Sequence, residues 1–380
     1  MHVGVLAEQA PREHRVALTP AGVASLVGSG HDVSIESGAG SAAGLVDHAY
    51  RESGAVVATR AGVVAADVVL GVVGGAVDVV EAARVGQLHI SLFDPLWDPA
   101  PVETLARTGA DVMALELVPR ITKAQSMDVL SSMATITGYE SVLLAARRLP
   151  RMFPLMMTAA GTIPPAKVLV LGAGVAGLQA VATARRLGAV VEAYDVRPAA
   201  AEQIRSLGAR AVILELDTAD SEDIGGYAKA QDDDQNRRQR ELLSPHVGES
   251  DIVIATAAIP GARSPLLVTS AMVETMTTGS VVVDLAAERG GNCELTVADQ
   301  EIVHAGITIL GPTDMASWSA ATASQMLSTN IVNLLGHLVE DGELALDRDD
   351  EIVRAMLVAS GGEIVHTQVL GALESTRRSA

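Results

Sequence analysis

The stretch Lys167–Arg197, KVLVLGAGVAGLQAVATARRLGAVVEAYDVR, decides the fold of this chain. Its apolar run Val168–Leu171 predicts a buried parallel strand, which enters a turn of three spaced glycines and then a helical segment to about Leu187. A second apolar run, Val190–Tyr194, predicts another strand that ends at Asp195. Strand, turn, helix and strand in this order predict a βαβ unit.

The glycine spacing in the turn matches the dinucleotide-binding pattern G-x-G-x-x-G. Gly172 permits a tight turn, Gly174 lets the backbone approach a pyrophosphate, and Gly177 lets the helix pack against the strand. The first amides of the helix attract phosphate, and Asp195 is placed to bind a ribose 2′-hydroxyl. This carboxylate favours NAD(H) over NADP(H), although an Arg in the position of Arg197 also accommodates a 2′-phosphate. The alternative is a βαβ turn with a structural role only.

The bulk composition indicates a globular chain of about two domains. Of 380 residues, 49% are hydrophobic and only 2% are aromatic, so aliphatic side chains build the core. The net charge of −19 argues against sequence-independent binding to nucleic acid and against adhesion to an anionic membrane, since both need a basic surface. The single cysteine, Cys293, excludes an internal disulfide. The first residues show no signal-peptide pattern, and Val63–Val80, the most apolar window, is broken by aspartates and glycines, so we expect no membrane span.

Short apolar runs alternate with helical segments in the first third of the chain and again after the glycine turn. This alternation predicts an α/β fold with two Rossmann-like, doubly wound parallel sheets. After Gly311 the sequence is typical of helices with no sheet of their own, and such a tail is too short to form a core alone. We therefore expect a discontinuous first domain, 1–130 with 311–380, an inserted dinucleotide-binding domain, 131–310, and a cleft between them. The polar stretch Asp217–Gln239 is expected to be a functional or disordered loop.

A second group of polar residues lies in Pro119–Ser132, PRITKAQSMDVLSS. Gln125, Asp128 and Ser131 follow one another at three-residue spacing, so a helix would bring their side chains to one face, beside the guanidinium of Arg120. This set suits a nicotinamide carboxamide, which needs a hydrogen-bond donor and an acceptor. The alternative is ordinary helix chemistry, with a serine N-cap and a polar first turn.

Long segments throughout the chain share one resemblance: EHRVALTPAGV, PRITKAQSMDVLSSMATITGYESVLLAA, MFPLMMTAAGTIPPAKVLVLGAGVAGLQA, GGYAK, ATAAIPGARSP, VVVDLAAERGGNCE and DDEIVRAMLVASGGEIVH. Together they resemble the NAD(H)-binding component of proton-translocating NAD(P)+ transhydrogenase, in the alanine dehydrogenase/transhydrogenase superfamily. The resemblance implies direct hydride transfer, of the Re/Si-specific type, between NADH bound here and NADP+ on a partner component. It also implies a separate membrane-spanning subunit that couples transfer to proton movement, a homodimer, and a cytoplasmic location at the inner membrane, attached through partner subunits.

The resemblance also assigns roles to single residues. The implied cofactor-binding residues are Arg120, Gln125, Asp128 and Ser131 at the nicotinamide, Gly172, Gly174, Val175 and Gly177 at the pyrophosphate, Asp195, Val196 and Arg197 at the adenosine, Gly226, Tyr227 and Gln239 on a mobile loop, and Ala258 in the pocket wall. The first three of these are also the implied catalytic residues. A polar loop that closes over a ligand is a common device. The chain departs from the family pattern at Ala258, at the run AQDDDQNRR, and at Asp314 and Trp318.

Hydride transfer between two nicotinamides needs orientation and desolvation but no general acid or base. We therefore expect no nucleophile, no metal ion and no catalytic histidine in this chain. The histidines His89, His304 and His366 are interpreted as structural or surface groups.

Two alternative functions stay open. The first is an alanine dehydrogenase-like NAD-dependent oxidoreductase, a family whose catalytic Lys and His fall in segments that here read Leu70–Gly74 and Ser91–Pro95. Neither segment contains a Lys or a His, although Arg15 is present. The second alternative is a catalytically silent, NAD-binding regulatory subunit.

Overall fold

A computed structural model describes residues 1–214, 233–259, 261–340 and 342–379 of the chain. The chain divides into two compact units, which we call the first unit (Met1–Met133 with Ala316–Ala380) and the second unit (Ala134–Met315). The strands are β1 (His2–Val5), β2 (Asp32–Glu36), β3 (Val56–Ala58), β4 (Val68–Val73), β5 (Leu88–Leu92), β6 (Asp111–Ala114), β7 (Met156–Thr158), β8 (Gly161–Ile163), β9 (Lys167–Leu171), β10 (Val190–Tyr194), β11 (Arg210–Ala211), β12 (Ile252–Ala255), β13 (Val281–Asp284), β14 (Glu301–His304), β15 (Ile307–Leu310), β16 (Val339–Glu340), β17 (Glu343–Leu344), β18 (Leu357–Ser360) and β19 (Glu363–Ile364).

Helices connect most of these strands. The α-helices are α1 (Pro20–Gly28), α2 (Asp47–Glu52), α3 (Arg60–Val64), α4 (Val77–Ala82), α5 (Ala100–Ala106), α6 (Val129–Arg148), α7 (Val175–Arg186), α8 (Ala200–Ser206), α9 (Asp233–Gly248), α10 (Ser270–Glu274), α11 (Ala320–Leu338), α12 (Glu351–Met356) and α13 (Thr367–Ser379). Short 3₁₀ helices lie at Ser41–Ala43, Leu115–Leu117, Thr122–Met127, Ala287–Arg289 and Met315–Ser317. Valine- and isoleucine-rich runs form most of the longer strands, since β-branched side chains favour a pleated backbone.

The first unit is built on a sheet in the order β19-β18-β6-β5-β4-β1-β2-β3. Strands β1 to β6 pair in parallel, whereas β18 runs antiparallel to β6 and β19 antiparallel to β18. Helix α11 is fastened to the N-terminal segment, because the backbone N–H of Thr19 donates to Ser328 Oγ at 3.0 Å and that of Val16 donates to Ser324 Oγ at 3.0 Å. The C-terminal residues therefore complete the sheet and the helical layer of the first unit.

The expectation that the tail after Gly311 contributes no strand is wrong. Strands β18 and β19 form a hairpin closed by Gly361 and Gly362, whose φ angles are 61° and 92°. Two glycines with positive φ between short apolar runs are a hairpin signal. The run Leu357–Ser360 joins the sheet because its apolar side chains are buried beside β6.

The second unit is built on a sheet in the order β11-β10-β9-β12-β13-β15-β14, parallel except for the edge strand β14. Alternate residues of β9 enter two different cores: Val168 and Val170 on one face, Leu169 and Leu171 on the other. The order of strands reverses at β9, which pairs with β10 on one side and β12 on the other. Ligands of open α/β sheets bind at such a point, beyond the carboxyl ends of the strands. The predicted α/β class with two doubly wound sheets is confirmed.

Among the described residues, α6 is the one helix long and apolar enough to cross a membrane by length and composition. This is weak evidence for a span, since the core helix of a soluble protein passes the same test. Val142 and Ala145 of α6 are fully buried in a core of the second unit, together with Val168 and Val170 of β9. These contacts account for the apolar character of the helix without a membrane.

The expectation of a loop over Asp217–Gln239 is wrong for the last part of that stretch. Helix α9 begins at Asp233 and includes Gln239. Residues 217–232 lie outside the described part of the chain.

Candidate functional site

The glycine turn follows β9 at the reversal point of the second sheet, and two of its glycines are required by close packing. Gly172 has a φ of 96°, and a Cβ there would lie 2.7 Å from Thr256 Oγ1. A Cβ at Gly177 would lie 1.9 Å from the carbonyl oxygen of Gly172. Side chains at these two positions would therefore force the turn away from β12 or push α7 off the sheet.

Gly174 differs from its two neighbours, because a Cβ there would meet no atom of the described residues within 4 Å. Its backbone is extended (φ −75°, ψ −168°), a conformation open to any residue, so the fold itself does not demand glycine. Gly174 is also the N-cap of α7, and no side chain in the described ranges caps the first amides of this helix. The next residue, Val175, is 38% exposed. Uncapped amides at the start of a twelve-residue helix, beside space that a Cβ would fill, fit a pyrophosphate.

Asp195 lies at the end of β10 and turns its carboxylate toward the glycine turn. Its Oδ2 accepts a hydrogen bond from the backbone N–H of Ala173 at 2.7 Å, and its Oδ1 accepts one from the backbone N–H of Arg197 at 2.9 Å. The Arg197 guanidinium donates back to the same carboxylate, with Nε 2.8 Å from Oδ1. Arg197 and Asp195 thus form a largely buried ion pair, with Val196 half-buried between them. The pair offsets the charge that Arg197 would otherwise offer to a 2′-phosphate.

A pocket of about 510 Å³, part of it open to solvent, lies beside Asp195. Its lining is mostly apolar and includes Pro198, Ala201, Ile204 and Val212, which suits a flat aromatic ring. Tyr194 also lines the pocket. Burial raises the pKa of the Tyr194 hydroxyl to about 12 and keeps it protonated.

Gln239 is buried, and its Nε2 donates to the hydroxyl oxygen of Tyr194 at 2.9 Å. It reaches the pocket through this contact from α9 and does not lie on a loop, contrary to expectation. Gly226 and Tyr227, the other two residues assigned to the loop, lie outside the described part of the chain. Ala258 is exposed, three residues beyond the end of β12.

The predicted nicotinamide group lies in the first unit, whereas the glycine turn, Asp195 and Ala258 lie in the second. Gln125 is exposed on the 3₁₀ helix Thr122–Met127, and Arg120 is exposed just before it. Asp128 follows the 3₁₀ helix and caps α6, because Ser131 donates to its carboxylate from the backbone N at 2.8 Å and from Oγ at 2.6 Å. The group is therefore split between two helix types, and the single helical face expected from the spacing is not formed.

Sequence reasoning missed two asparagines that hold this 3₁₀ helix. Asn330 and Asn333 of α11 both donate from Nδ2 to the carbonyl oxygen of Ser126, at 2.8 and 3.0 Å. Ser132 donates to Asn330 Oδ1 at 2.7 Å, which fixes the orientation of the amide. The contacts fasten the residue next to Gln125 to a long helix. The three-residue spacing of two asparagines on α11 was the available signal.

The carboxyl-terminal edge of the first sheet is filled by the chain's own carboxylates. Three glutamates accept hydrogen bonds from backbone amides beyond neighbouring strands: Glu36 from Ala7, Glu8 from Val72 and Val73, and Glu116 from Phe93 and Asp94. Burial raises the pKa of Glu8 and of Glu116 to about 7. Arg15 is held by Glu13, with Nε 2.8 Å from Oε1. The amides and the cation at this edge are therefore engaged with carboxylates of the protein.

The histidines His89, His304 and His366 occupy separate places. His89 is buried within β5, where Nε2 contacts Gln87 Oε1 at 3.1 Å and burial lowers its pKa to about 4. His304 contacts Glu274 Oε1 at 2.8 Å on the surface. His366 is half-buried, and burial lowers its pKa. Within the described ranges no group of three or more His, Cys, Asp or Glu could hold a metal ion.

Comparison with known proteins matches two family models over almost the whole chain. Residues 4–137 match "Alanine dehydrogenase/PNT, N-terminal domain", and residues 141–367 match "Alanine dehydrogenase/PNT, C-terminal domain". The chain is 46% identical over 370 residues to the NAD(P) transhydrogenase subunit alpha of Cereibacter sphaeroides, covering 96% of this chain and 71% of that one. It is 41% identical over 381 residues to the first of the chains that make up NAD(P) transhydrogenase subunit alpha in Rhodospirillum rubrum, covering 98% and 99% of the two chains.

A solved structure of transhydrogenase from Sinorhizobium meliloti superposes with a TM-score of 0.88 at 44% identity, covering 96% of this chain and all of that one. The match of both family models, the similarity to transhydrogenase alpha subunits and the shared fold agree with each other. This chain belongs to the alanine dehydrogenase/PNT family, as a homologue of the alpha subunit of NAD(P) transhydrogenase.

Proposed function

We propose that this chain is the NAD(H)-binding subunit of a proton-translocating transhydrogenase of the Re/Si-specific type. The observation that carries the proposal is the start of α7, where uncapped amides face the open space beside Gly174. Similarity to transhydrogenase alpha subunits supports the choice of reaction. A bound dihydronicotinamide would supply hydride, which passes with both its electrons to the oxidised nicotinamide of NADP+ on a partner subunit, so that NADH is oxidised and NADP+ reduced.

The residues of the second unit would hold the nucleotide. The first amides of α7, with Val175 at their head, donate to the pyrophosphate. Asp195 accepts from a ribose hydroxyl while Ala173 and Arg197 keep its carboxylate in place. Because Arg197 is already paired with Asp195, the site favours NAD(H) over NADP(H). Gly226 and Tyr227 are proposed to close over the nucleotide, and Ala258 to form part of the wall.

The residues of the first unit would orient the reacting ring. Gln125 offers both a donor and an acceptor and is exposed, as a group that meets a carboxamide must be. Arg120 adds a cation nearby, and Asp128 with Ser131 fixes the junction between the 3₁₀ helix and α6. The catalytic contribution proposed for Arg120, Gln125 and Asp128 is orientation and exclusion of water, since hydride transfer consumes no proton.

The partners proposed are an NADP(H)-binding subunit and a membrane-spanning subunit, which would hold this chain at the cytoplasmic face of the inner membrane. We also propose a homodimer. The hairpin β7–β8 and its flanks expose apolar side chains: Met157 is 80% exposed, Leu155 55% and Met152 51%. Exposed apolar side chains grouped on a hairpin are typical of a protein interface.

An alanine dehydrogenase-like reaction is less well supported by the first unit. Such an enzyme needs a free cation for the substrate carboxylate and a side chain that moves a proton. Arg15 is engaged by Glu13, and the strand-end amides are engaged by Glu8 and Glu116. The other alternative, a silent NAD-binding regulatory subunit, shares the whole nucleotide site and is separated from the proposal by activity alone.

One experiment distinguishes the three functions. The purified chain is mixed with an NADP(H)-binding transhydrogenase subunit, and NADH-dependent reduction of an NADP+ analogue is followed. Transfer supports the proposal, NADH binding without transfer supports the regulatory subunit, and NAD+ reduction by alanine alone supports the dehydrogenase. Lys123→Ala, an exposed change on the same 3₁₀ helix, is the matched control for variants of Gln125.

A further inference from the structure

Asp284, at the end of β13, organises the loop that follows it. The side chain is fully buried, and its Oδ2 accepts hydrogen bonds from the backbone N–H of Asn292 at 2.7 Å, the backbone N–H of Cys293 at 2.9 Å and Thr296 Oγ1 at 2.7 Å. Its Oδ1 accepts from the backbone N–H of Ala286 at 3.0 Å. Together these donors fix the backbone of the loop around one carboxylate, and with it the position of Asn292.

The side chain of Asn292 uses this fixed position to clamp a different loop. Asn292 is fully buried; its Oδ1 accepts from the backbone N–H of Ala257 at 3.0 Å, and its Nδ2 donates to the carbonyl oxygens of Ala257 at 2.9 Å and Pro265 at 2.8 Å. One amide thus satisfies both backbone groups of Ala257, as a neighbouring strand would. The clamp lies just beyond the end of β12, where strand pairing has stopped.

The clamped segment lies against the glycine turn. Thr256 Oγ1 donates to the carbonyl oxygen of Gly172 at 3.0 Å, and the backbone nitrogen of Ala257 lies 3.1 Å from the Cβ position of Gly172. Ala258, the next residue, is exposed. The segment Thr256–Ala258 therefore forms one side of the space beyond the turn, and Asn292 determines where that side stands.

We propose that Asn292 is a positioning residue for the dinucleotide, holding Thr256–Ala258 in place for the half of the nucleotide that extends past the pyrophosphate. The proposal rests on the proposed binding of NAD(H). The adenosine pocket lies at β10 and β11, on the other side of β9 from β12. Loss of the clamp should therefore weaken the binding of NADH and leave the binding of AMP unchanged.

The test compares Asn292→Ala with Thr296→Val by calorimetric titration with NADH and with AMP. Thr296→Val removes one donor to Asp284 but leaves the contacts to Ala257, so it lowers stability without releasing the clamp. We expect Asn292→Ala to raise the Kd for NADH about tenfold, with the Kd for AMP as in the wild type. Thr296→Val should change neither Kd, although it lowers the melting temperature.

Asn292→Asp has the shape of the native side chain but cannot donate to Ala257 or Pro265, and we expect it not to restore NADH affinity. Equal losses for NADH and AMP in Asn292→Ala, or full affinity in Asn292→Asp, would overturn the positioning role. If neither variant folds, hydrogen exchange of the wild type replaces them: NADH should slow exchange at 256–258, and no change there would sink the inference. Failure of the wild type to bind NADH is a separate result and refutes the proposed function itself.

Discussion

Gly174→Ala separates the two reasons for which the turn after β9 uses glycine. A Cβ at Gly174 meets no atom within 4 Å in the described part of the chain, and the backbone there is extended, so alanine fits the folded chain without strain. Alanine at an N-cap costs up to about 1 kcal/mol relative to glycine. Reduced freedom of the unfolded chain returns about 0.4–1 kcal/mol. The net change in the free energy of unfolding should therefore stay within about 1 kcal/mol.

The same methyl group would occupy the space in front of the uncapped amides of α7, where we place the pyrophosphate. Displacing the pyrophosphate by one methyl loses one or two hydrogen bonds to a charged group, each contributing about 1.5–3 kcal/mol. The Kd for NADH should rise about 10- to 100-fold on this basis. Gly174→Ala is thus predicted to damage binding and spare the fold.

Gly177→Ala is the matched comparison, because its Cβ would lie 1.9 Å from the carbonyl oxygen of Gly172. Overpacking of this kind costs about 1–3 kcal/mol or more, so this variant should lose stability first. Thermal unfolding and calorimetric titration with NADH, measured on both variants, check the pair. Wild-type NADH affinity in a folded Gly174→Ala protein would refute the placement of the pyrophosphate, and wild-type stability of Gly177→Ala would refute the packing argument.

Four further predictions use the same preparations. Gln125→Asn should reduce the rate of hydride transfer far more than the affinity for NADH, and equal losses would count against its place beside the reacting ring. Asn330→Ala combined with Asn333→Ala should likewise slow transfer, because the carbonyl of Ser126 loses both asparagine donors; titration with NADH should show little change. Burial raises the pKa of Glu8 from 4.5 to about 7, so between these values the folded chain keeps a proton that the unfolded chain has lost. The free energy of unfolding therefore falls as pH rises through that range, and Glu8→Gln should flatten the dependence by up to about 3 kcal/mol in urea titrations. Met157→Asp should shift the dimer to monomer in sedimentation, and an unchanged dimer would place the interface elsewhere.

The fold class was accessible from the sequence because its signals are local. The alternation of short apolar runs and helical segments, and the glycine turn after Val168–Leu171, each lie within a short window. The same windows explain the errors. Leu357–Ser360 is a short apolar run that is indistinguishable from a helical segment until β6 is present to pair with it. Gly361 and Gly362 were the local sign that it turns back as a hairpin.

The parts of the candidate site differ in the same way. Gly172, Gly174, Gly177 and Asp195 lie within one βαβ unit, so their spacing defines their geometry, and the structure brings Asp195 to within 2.7 Å of the amide of Ala173 in that turn. The group around Gln125 follows no such rule. Spacing predicted one helical face, but the segment is a 3₁₀ helix, with Asp128 spent on capping the next helix.

Long-range contacts account for what spacing could not predict. The donors that hold Ser126 come from residues 204 and 207 positions away in the chain, and the clamp on Ala257 comes from a residue 35 positions away. Each of these asparagines uses its amide to satisfy backbone groups that have left regular secondary structure, and such groups must find a partner when they are buried. A segment that must stay exposed to meet a ligand cannot be fixed by burying its own side chains. It is fixed through its backbone instead, by polar side chains from elements distant in sequence, and for that reason the residues that position this site carry no local motif.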